Sequence, residues 1–274
     1  MLKCFVGTVG IGGGDPVRLM AVMNASPESF FSHSFVPREK LRDTAFRFLD
    51  DGAEIIDLGA RSTAPDAPPL SAAEEKERLC ASLKELAGIG LPVSVDTMFP
   101  DVLDAALRYD IDAINDIHGL ANPDYARIAG DAGLPVFLMA STAVPGDAVG
   151  VTATHAACET VIDRAHRAGI TDIILDPAIG HWIPERTMED DWDLCRAFSS
   201  FQAHGCPLLA AVSRKSFIGD LLDTPPEGRL AGTMAVTYDL LLQGASVVRT
   251  HDVRETADLI RIFEHLRESR QNIT

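Results

Sequence analysis

The stretch Leu41-Arg42-Asp43-Thr44-Ala45-Phe46-Arg47-Phe48-Leu49-Asp50-Asp51-Gly52-Ala53-Glu54-Ile55-Ile56-Asp57-Leu58 holds one complete helix-to-strand unit. Leu41, Ala45, Phe48 and Leu49 recur every three or four residues, the spacing of one helix face. Asp51-Gly52 then ends the helix, glycine supplying a left-handed cap at little steric cost. Ala53 to Leu58 follows as a short apolar run of strand length, interrupted by Asp57 near its end.

Working outward, the same unit recurs. Strands are predicted at Leu19 to Met23, Ala53 to Leu58, Pro92 to Val95, Asp112 to Asn115, Pro135 to Leu138, Asp172 to Leu175, Pro207 to Val212 and Ser246 to Arg249. Their cores are nearly continuous in Val, Ile and Leu, as expected of parallel strands buried on both faces. Gly88 and Gly90, Gly169 and Gly244 stand before later strands as Gly52 does before the second. The last helix shows the same face in Val253, Ala257, Ile260, Phe263 and Leu266. Eight such units in roughly 250 residues predict an α/β fold of the (β/α)8 TIM-barrel type. A doubly wound open sheet has the same local patterns, but no G-x-G-x-x-G follows any strand. The glycine-rich run Gly10 to Gly14 precedes the first strong strand and reads as an irregular turn in a short N-terminal extension.

The chain has 274 residues, 46% of them apolar, and neither a linker nor a low-complexity tract divides it. One domain spanning 1–274 is therefore expected. Forty acidic residues against 24 basic ones give a net charge of -16, which argues against a nucleic-acid or anionic membrane partner. A small anionic ligand remains open to it, because a few cations converging on one cleft suffice. Cys4, Cys80, Cys158, Cys195 and Cys206 show no C-x-x-C or Cys/His spacing, so neither a disulfide framework nor a zinc site is favoured. With no signal-peptide pattern at the N-terminus, a cytoplasmic location is the expectation.

Polar residues gather at the ends of the strands: Asn24, Asp57, Asp96, Asn115, Asp176, Arg214 with Lys215, and Arg249 with His251. Each has an ordinary reading when taken alone. Asp96 and Asp176 suit helix caps or turns, Asn115-Asp116 an Asx turn, Lys215 a solvated side chain, and His251 a polar turn residue. In a barrel, however, all of them converge on the C-terminal rim, where ligands bind. Asp96, Asn115 and Asp176 suit a flat heterocycle bearing ring N–H, amino and carbonyl groups. Lys215, Arg249, His251 and Asn24 suit a phosphate or diphosphate with a divalent cation.

From about Arg18 to Leu266 the chain resembles the dihydropteroate synthase family of the pterin-binding barrel superfamily. The blocks that carry the resemblance come in family order. They are Asn24-Ala25-Ser26-Pro27-Glu28-Ser29-Phe30, Gly52 to Asp57 with Ser62-Thr63, Ser94-Val95-Asp96-Thr97, Ala113 to Ile117, Ile174-Leu175-Asp176-Pro177, Ser213 to Gly219, and Arg249 to Val253. The resemblance implies a transferase that condenses dihydropterin-methyl diphosphate with an aminobenzene-type arylamine, giving a dihydropteroate-like product and diphosphate. It implies that Asp96, Asn115, Asp176 and Lys215 hold the pterin, with Met139 packing near it. It further implies that Asn24, Arg249 and His251 bind the diphosphate, Asn24 also its Mg2+, and that Lys215, Arg249 and His251 are catalytic. Arg61, Ser62 and Thr63 would form the second-substrate loop. An exposed apolar helix face near the C-terminus makes a homodimer the expectation.

The loops depart from the family pattern. Where G-E-S-T-R-P-G is typical, residues 60–66 put Arg61 in place of the glutamate and Ala64 in place of the arginine. Phe31-Ser32-His33-Ser34 replaces a glycine-rich continuation, Ala140 a common histidine, and Gly180-His181-Trp182-Ile183 the usual glycine-phenylalanine-glycine-lysine. These changes spare the pterin reader more than the second-substrate surface. They point to an archaeal tetrahydromethanopterin-pathway variant whose arylamine carries a ribosyl phosphate, met by Arg61 or His181. Two other functions need the same ring reader: a pterin-dependent methyltransferase of corrinoid one-carbon metabolism, and a noncatalytic pterin-binding protein.

Overall fold

In the computed structural model, which describes residues 2–26, 35–61 and 70–271, every predicted strand forms part of one parallel sheet. A hairpin comes first, β1 (Lys3–Val6) against β2 (Val9–Gly12). The barrel strands are β3 (Arg18–Asn24), β4 (Ile55–Gly59), β5 (Val93–Asp96), β6 (Ala113–Asp116), β7 (Val136–Met139), β8 (Ile173–Asp176), β9 (Leu209–Ala210) and β10 (Val247–Thr250). They pair in the order β8-β7-β6-β5-β4-β3-β10-β9. The ring closes where Leu175 bridges Leu208 in parallel and Leu175 N donates to Pro207 O at 2.8 Å.

Most strands begin and end one residue later than the apolar pattern suggests. Pro92, Pro135 and Pro207 have no N–H to donate, so the ladder starts after each of them. Their carbonyls still accept, from Ile56 N at 2.9 Å, Ile114 N at 3.0 Å and Leu175 N at 2.8 Å. The terminal polar residues Asp96, Asp116 and Asp176 are consequently strand residues and not loop residues.

Outside the sheet lie α1 (Leu41–Asp50), α2 (Ala72–Leu86), α3 (Pro100–Ala106), α4 (Pro123–Ala132), α5 (Gly150–Arg167), α6 (Met188–Arg196), α7 (Ser216–Leu222), α8 (Leu230–Leu242) and α9 (Val253–Gln271). Leu41, Ala45 and Phe48 are buried as the spacing predicts, whereas Leu49 and Leu266 are exposed at the margins of their helix faces. No helix among the described residues is long and apolar enough to cross a membrane.

Two apolar clusters divide the molecule. The larger joins sheet and helices through residues such as Ile56, Leu58, Ile114, Leu138, Leu175, Val212 and Val248. The smaller fills the lumen with Met20, Ile55, Ala113, Phe137, Ile174, Leu209, Ala211 and Val247, together with Cys4, Val6 and Ile11 of the hairpin. The glycine-rich N-terminal run is thus no irregular turn alone: Gly10 and Gly12 lie in β2, whose hairpin plugs the N-terminal end of the barrel. Gly12 needs to be glycine, because it has φ 78° and a Cβ would come 2.5 Å from Leu2 O.

Candidate active site

Side chains alternate across a strand, so residues two beyond a lumen residue also point inward, one layer nearer the C-terminal rim. From Ile55, Ala113, Phe137, Ile174 and Val247 this parity leads to Asp57, Asn115, Met139, Asp176 and Arg249. From Met20 it leads through Val22 to Asn24. The apolar lumen therefore carries a polar layer at its mouth.

Asp57 is the centre of that layer. Its carboxylate Oδ2 accepts from Asn115 Nδ2 at 2.9 Å and from Arg249 Nε at 2.6 Å. Arg249 Nη2 donates in turn to Asp96 Oδ2 at 2.9 Å. Three residues assigned to pterin or diphosphate, Asp96, Asn115 and Arg249, are thus joined through one that the motif reading quoted without giving it a role. The signal was present: an aspartate at an inward position inside the apolar run Ile55-Ile56-Asp57-Leu58, where an unpaired charge is costly.

Burial and the neighbouring Asp57 push the Asp96 carboxyl up to about 7, against the lowering pull of Arg249. Asp57 and Asp96 together keep the Arg249 guanidinium charged despite its burial. Burial also raises Asp176, which Lys215 pulls back down, and one of its oxygens accepts Ala178 N at 2.8 Å. The Asx-turn reading holds for Asp116, whose oxygens accept the backbone of His118 at 2.8 Å and Leu120 at 2.6 Å. Asn115 instead faces the site.

Lys215 caps the start of α7 and donates to the Ile179 carbonyl. Burial lowers its ammonium to about 8. Arg214 beside it has a structural role: at φ 56° it binds Asp252 through Nε at 2.9 Å and Nη2 at 2.7 Å, and the Pro226 carbonyl at 2.7 Å. Arg229 Nη1 donates to the Arg214 carbonyl at 3.0 Å and Arg214 N to Thr233 Oγ1 at 3.0 Å. These bonds fix the turn that presents Lys215.

His251 N donates to Ser213 Oγ at 3.1 Å, and its Nδ1 lies 3.0 Å from the same oxygen. Burial and the cations Arg249, Arg214 and Lys215 push the imidazole down to about 3. It meets an anion as a neutral group. Asn24 ends β3 beside Gly59, where a Cβ would lie 3.5 Å from its Oδ1 and 3.7 Å from Asp96 Cβ. Met139 is fully buried at the end of β7.

Arg61 follows β4, but its guanidinium is committed. Nε donates to the buried Glu75 of α2 at 2.5 Å, Nη2 to the Leu70 carbonyl, and the group lies 4.8 Å from the centre of the Phe99 ring. Two of its nitrogens are thus engaged by α2 and the residue two before it. Ser62 and Thr63 lie outside the described residues. Trp182 and Asp191, noted in the sequence only as a departure or not at all, approach Lys215 from the loop after β8 and from α6. A cavity of about 510 Å³ opens at the other end of the barrel, among Val17, Tyr238, Leu241, Ala245 and Phe263. Asp15, Ser246 and Arg267 also line it, but none of the strand-end residues of the mouth does.

The pterin binding enzyme model matches residues 20–251, from the first barrel strand to the histidine after the last. The chain belongs to that family. The dihydropteroate synthase of Escherichia coli K12 is 31% identical over 269 residues, covering 93% of each chain. The crystal structure of the Yersinia pestis dihydropteroate synthase with a sulfonamide drug superposes with a TM-score of 0.87 at 29% identity, covering 98% of this chain and all of that one. The Coxiella burnetii dihydropteroate synthase in complex with pteroic acid superposes at 0.85 with 30% identity, over 97% of this chain and 99% of that one. The family match thus ends on the residues that line the mouth.

Proposed function

We propose that this family member is a transferase that joins dihydropterin-methyl diphosphate to an arylamine, as a dihydropteroate synthase does. The C–O bond to diphosphate breaks, a C–N bond forms at the same methylene, and the amine gives up a proton. The observation that carries this reading is the Asn115–Asp57–Arg249–Asp96 chain of hydrogen bonds. It joins two carboxylates and an amide to a guanidinium within one inward-facing layer.

Asp96, Asn115, Asp176 and Lys215 hold the pterin by hydrogen bonds to its ring groups, with Met139 as the apolar packing surface. Arg249, Lys215 and His251 stabilise negative charge as it develops on the leaving diphosphate, Arg249 through charge and His251 as a neutral donor. The Asp96 and Asp176 carboxylates oppose the positive charge left on the pterin methylene. Holding both substrates in one mouth supplies much of the rate, because orientation replaces a chance encounter. Asn24, at the end of β3, fits magnesium as a hard oxygen donor. That amide oxygen would help hold the ion, which would offset the charge of the diphosphate.

For the second substrate, His181 is exposed on the loop after β8 and Arg61 is paired with Glu75. A phosphorylated arylamine would therefore be met by His181 first. The folate and methanopterin readings differ at this position.

The chain is further proposed to act as one pterin-binding unit over residues 1–274, in the cytoplasm and as a homodimer. Its cysteines are free, with Cys4 and Cys195 pushed up to about 12 by burial. Exposed Leu242, Ile262 and Leu266 on α8 and α9 suit contact with a second copy, which sedimentation equilibrium tests directly.

The decisive assay supplies dihydropterin-methyl diphosphate, Mg2+ and, separately, p-aminobenzoate and its ribosyl-phosphate derivative. Stoichiometric diphosphate release with the mass of the adduct is expected for one arylamine over the other. Pterin binding without adduct overturns the synthase reading, and equal use of both arylamines overturns the role given to His181.

A further inference from the structure

Lys215 rests on a turn that the strand ends do not build. Its Nζ donates to the Ile179 carbonyl and lies 5.1 Å from the centre of the Trp182 ring. Between them Gly180 has φ 137°, and a Cβ there would come 2.9 Å from Lys215 Nζ. Only glycine lets the ammonium approach the backbone this closely. Ala178, at φ 59°, donates its N–H to Asp176 Oδ1 at 2.8 Å and accepts Trp182 Nε1 at 3.1 Å. Residues 178–182 thus wrap the lysine head in a strained backbone, which persists only where its surroundings hold it.

A buried ion pair does the holding. Asp191 Oδ1 accepts Gly180 N at 2.8 Å and pairs with Arg186 Nε at 3.1 Å, both side chains being 0% exposed. Arg186 Nη1 reaches the Gly146 carbonyl at 3.4 Å in the loop after β7. Gly146 itself lies against Trp182, for a Cβ on it would sit 2.2 Å from the indole Cγ. Loops after β7, β8 and β9 are therefore fastened together around Lys215. Stability alone does not account for the pair. Arg186 Nε and Nη2 and Asp191 Oδ2 are buried without a hydrogen-bond partner among the described residues, and apolar side chains can often replace such a pair at no loss.

We propose that Arg186 and Asp191 are positioning residues for Lys215. The pair clamps the 178–182 turn, so that the Ile179 carbonyl and the Trp182 face fix the ammonium at the pterin end of the mouth. The inference rests on the proposed function for its activity readout alone.

The charged groups facing Lys215 are Asp176 from β8, Asp191 from α6, Arg249 from β10 and Arg186 from the loop before α6. The two carboxylates keep its proton on, while burial and the two guanidiniums drive it off. Trp182 and Trp192 are the chain's two tryptophans, so a Trp192→Phe background makes Trp182 a private reporter. In the ligand-free protein its fluorescence is expected to titrate near pH 8, and Lys215→Met to abolish that transition. Arg186→Met with Asp191→Leu releases the turn without leaving a lone buried charge. Lys215 regains solvent, and the midpoint moves up by about one pH unit or more. The kcat falls at least about tenfold while the circular dichroism spectrum is unchanged.

Asp191→Asn keeps an acceptor for Gly180 but removes the charge, so its midpoint moves down. This second variant serves if the double one fails to fold. Midpoints that stay put in the folded variants, or a transition that survives Lys215→Met, overturn the inference. Shifted midpoints in a protein that forms no adduct leave the inference standing and overturn the synthase reading. Adduct formation with unmoved midpoints does the reverse.

Discussion

Asp57 Oδ2 accepts Arg249 Nε at 2.6 Å, tying the second barrel strand to the last across 192 residues of chain. Asp57 is fully buried and Arg249 is 22% exposed, so the contact is sheltered on one side only. It sets both the position of the guanidinium and the charge felt by Asp96.

Removing the carboxylate has two separable effects. Asp57→Ala leaves Arg249 with only Asp96, and it is expected to cost about 3 kcal/mol in urea unfolding, the usual penalty for breaking a buried pair. Asp57→Asn keeps the shape but relieves the repulsion that raises Asp96. The acid limb of kcat/KM then moves to lower pH, whereas a structural role alone leaves it in place.

The wild-type pH profile follows from two displaced groups. Asp96, near 7, must be ionised to accept from the pterin, and Lys215, near 8, must be protonated to donate. Activity therefore falls below about 7 and above about 8, giving a narrow bell in kcat/KM, which reports the free enzyme. Lys215→Ala should remove the alkaline limb from whatever activity remains.

Arg214 and Lys215 are neighbours with opposite consequences. Arg214→Ala breaks a bidentate pair with Asp252 in which both side chains are nearly buried, and a loss of about 3 kcal/mol or more is expected. Arg214→Lys recovers little of it, since an ammonium cannot form the fork. Lys215→Met, by contrast, should leave the urea midpoint unchanged or higher while weakening pterin binding. The Lys215 ammonium has a folded-state pKa of about 8 against 10.5, so its burial costs stability below pH 8 and the cost fades as the pH rises toward 10.5. Denaturation of the two variants side by side checks this.

His251 should stay neutral throughout the working range, having been pushed down to about 3. Imidazole NMR shifts of the ligand-free protein should show no transition for it between pH 5 and 8. A midpoint near the ordinary 6.5 contradicts the cationic surroundings described for it.

The barrel was legible because its physics is local and repeated. Apolar runs, helix caps and the helix spacing each act within a few residues, and they located every strand to within two positions at either end, even β9, whose ladder spans only Leu209–Ala210. Their position at the ends of parallel strands also brought Asn24, Asp96, Asn115, Asp176 and Arg249 to one rim. Pairing between them was not legible, because Asp57 finds Asn115 and Arg249 only through barrel closure. A motif read as Ser-Arg-Lys likewise cannot reveal that Arg214 serves the turn while Lys215 serves the site. The Arg61 ion pair was hidden for the same reason: its partner Glu75 belongs to the next helix, with the second loop between them.

The most direct test of the mouth as a pterin site is a crystal structure of the chain with 6-hydroxymethyl-dihydropterin diphosphate. The pterin ring is expected within hydrogen-bond distance of Asp96, Asn115, Asp176 and Lys215, with the diphosphate turned toward Arg249 and His251. A ring bound elsewhere, in the cavity between α8 and α9 for instance, or one that touches none of these four side chains, contradicts the account.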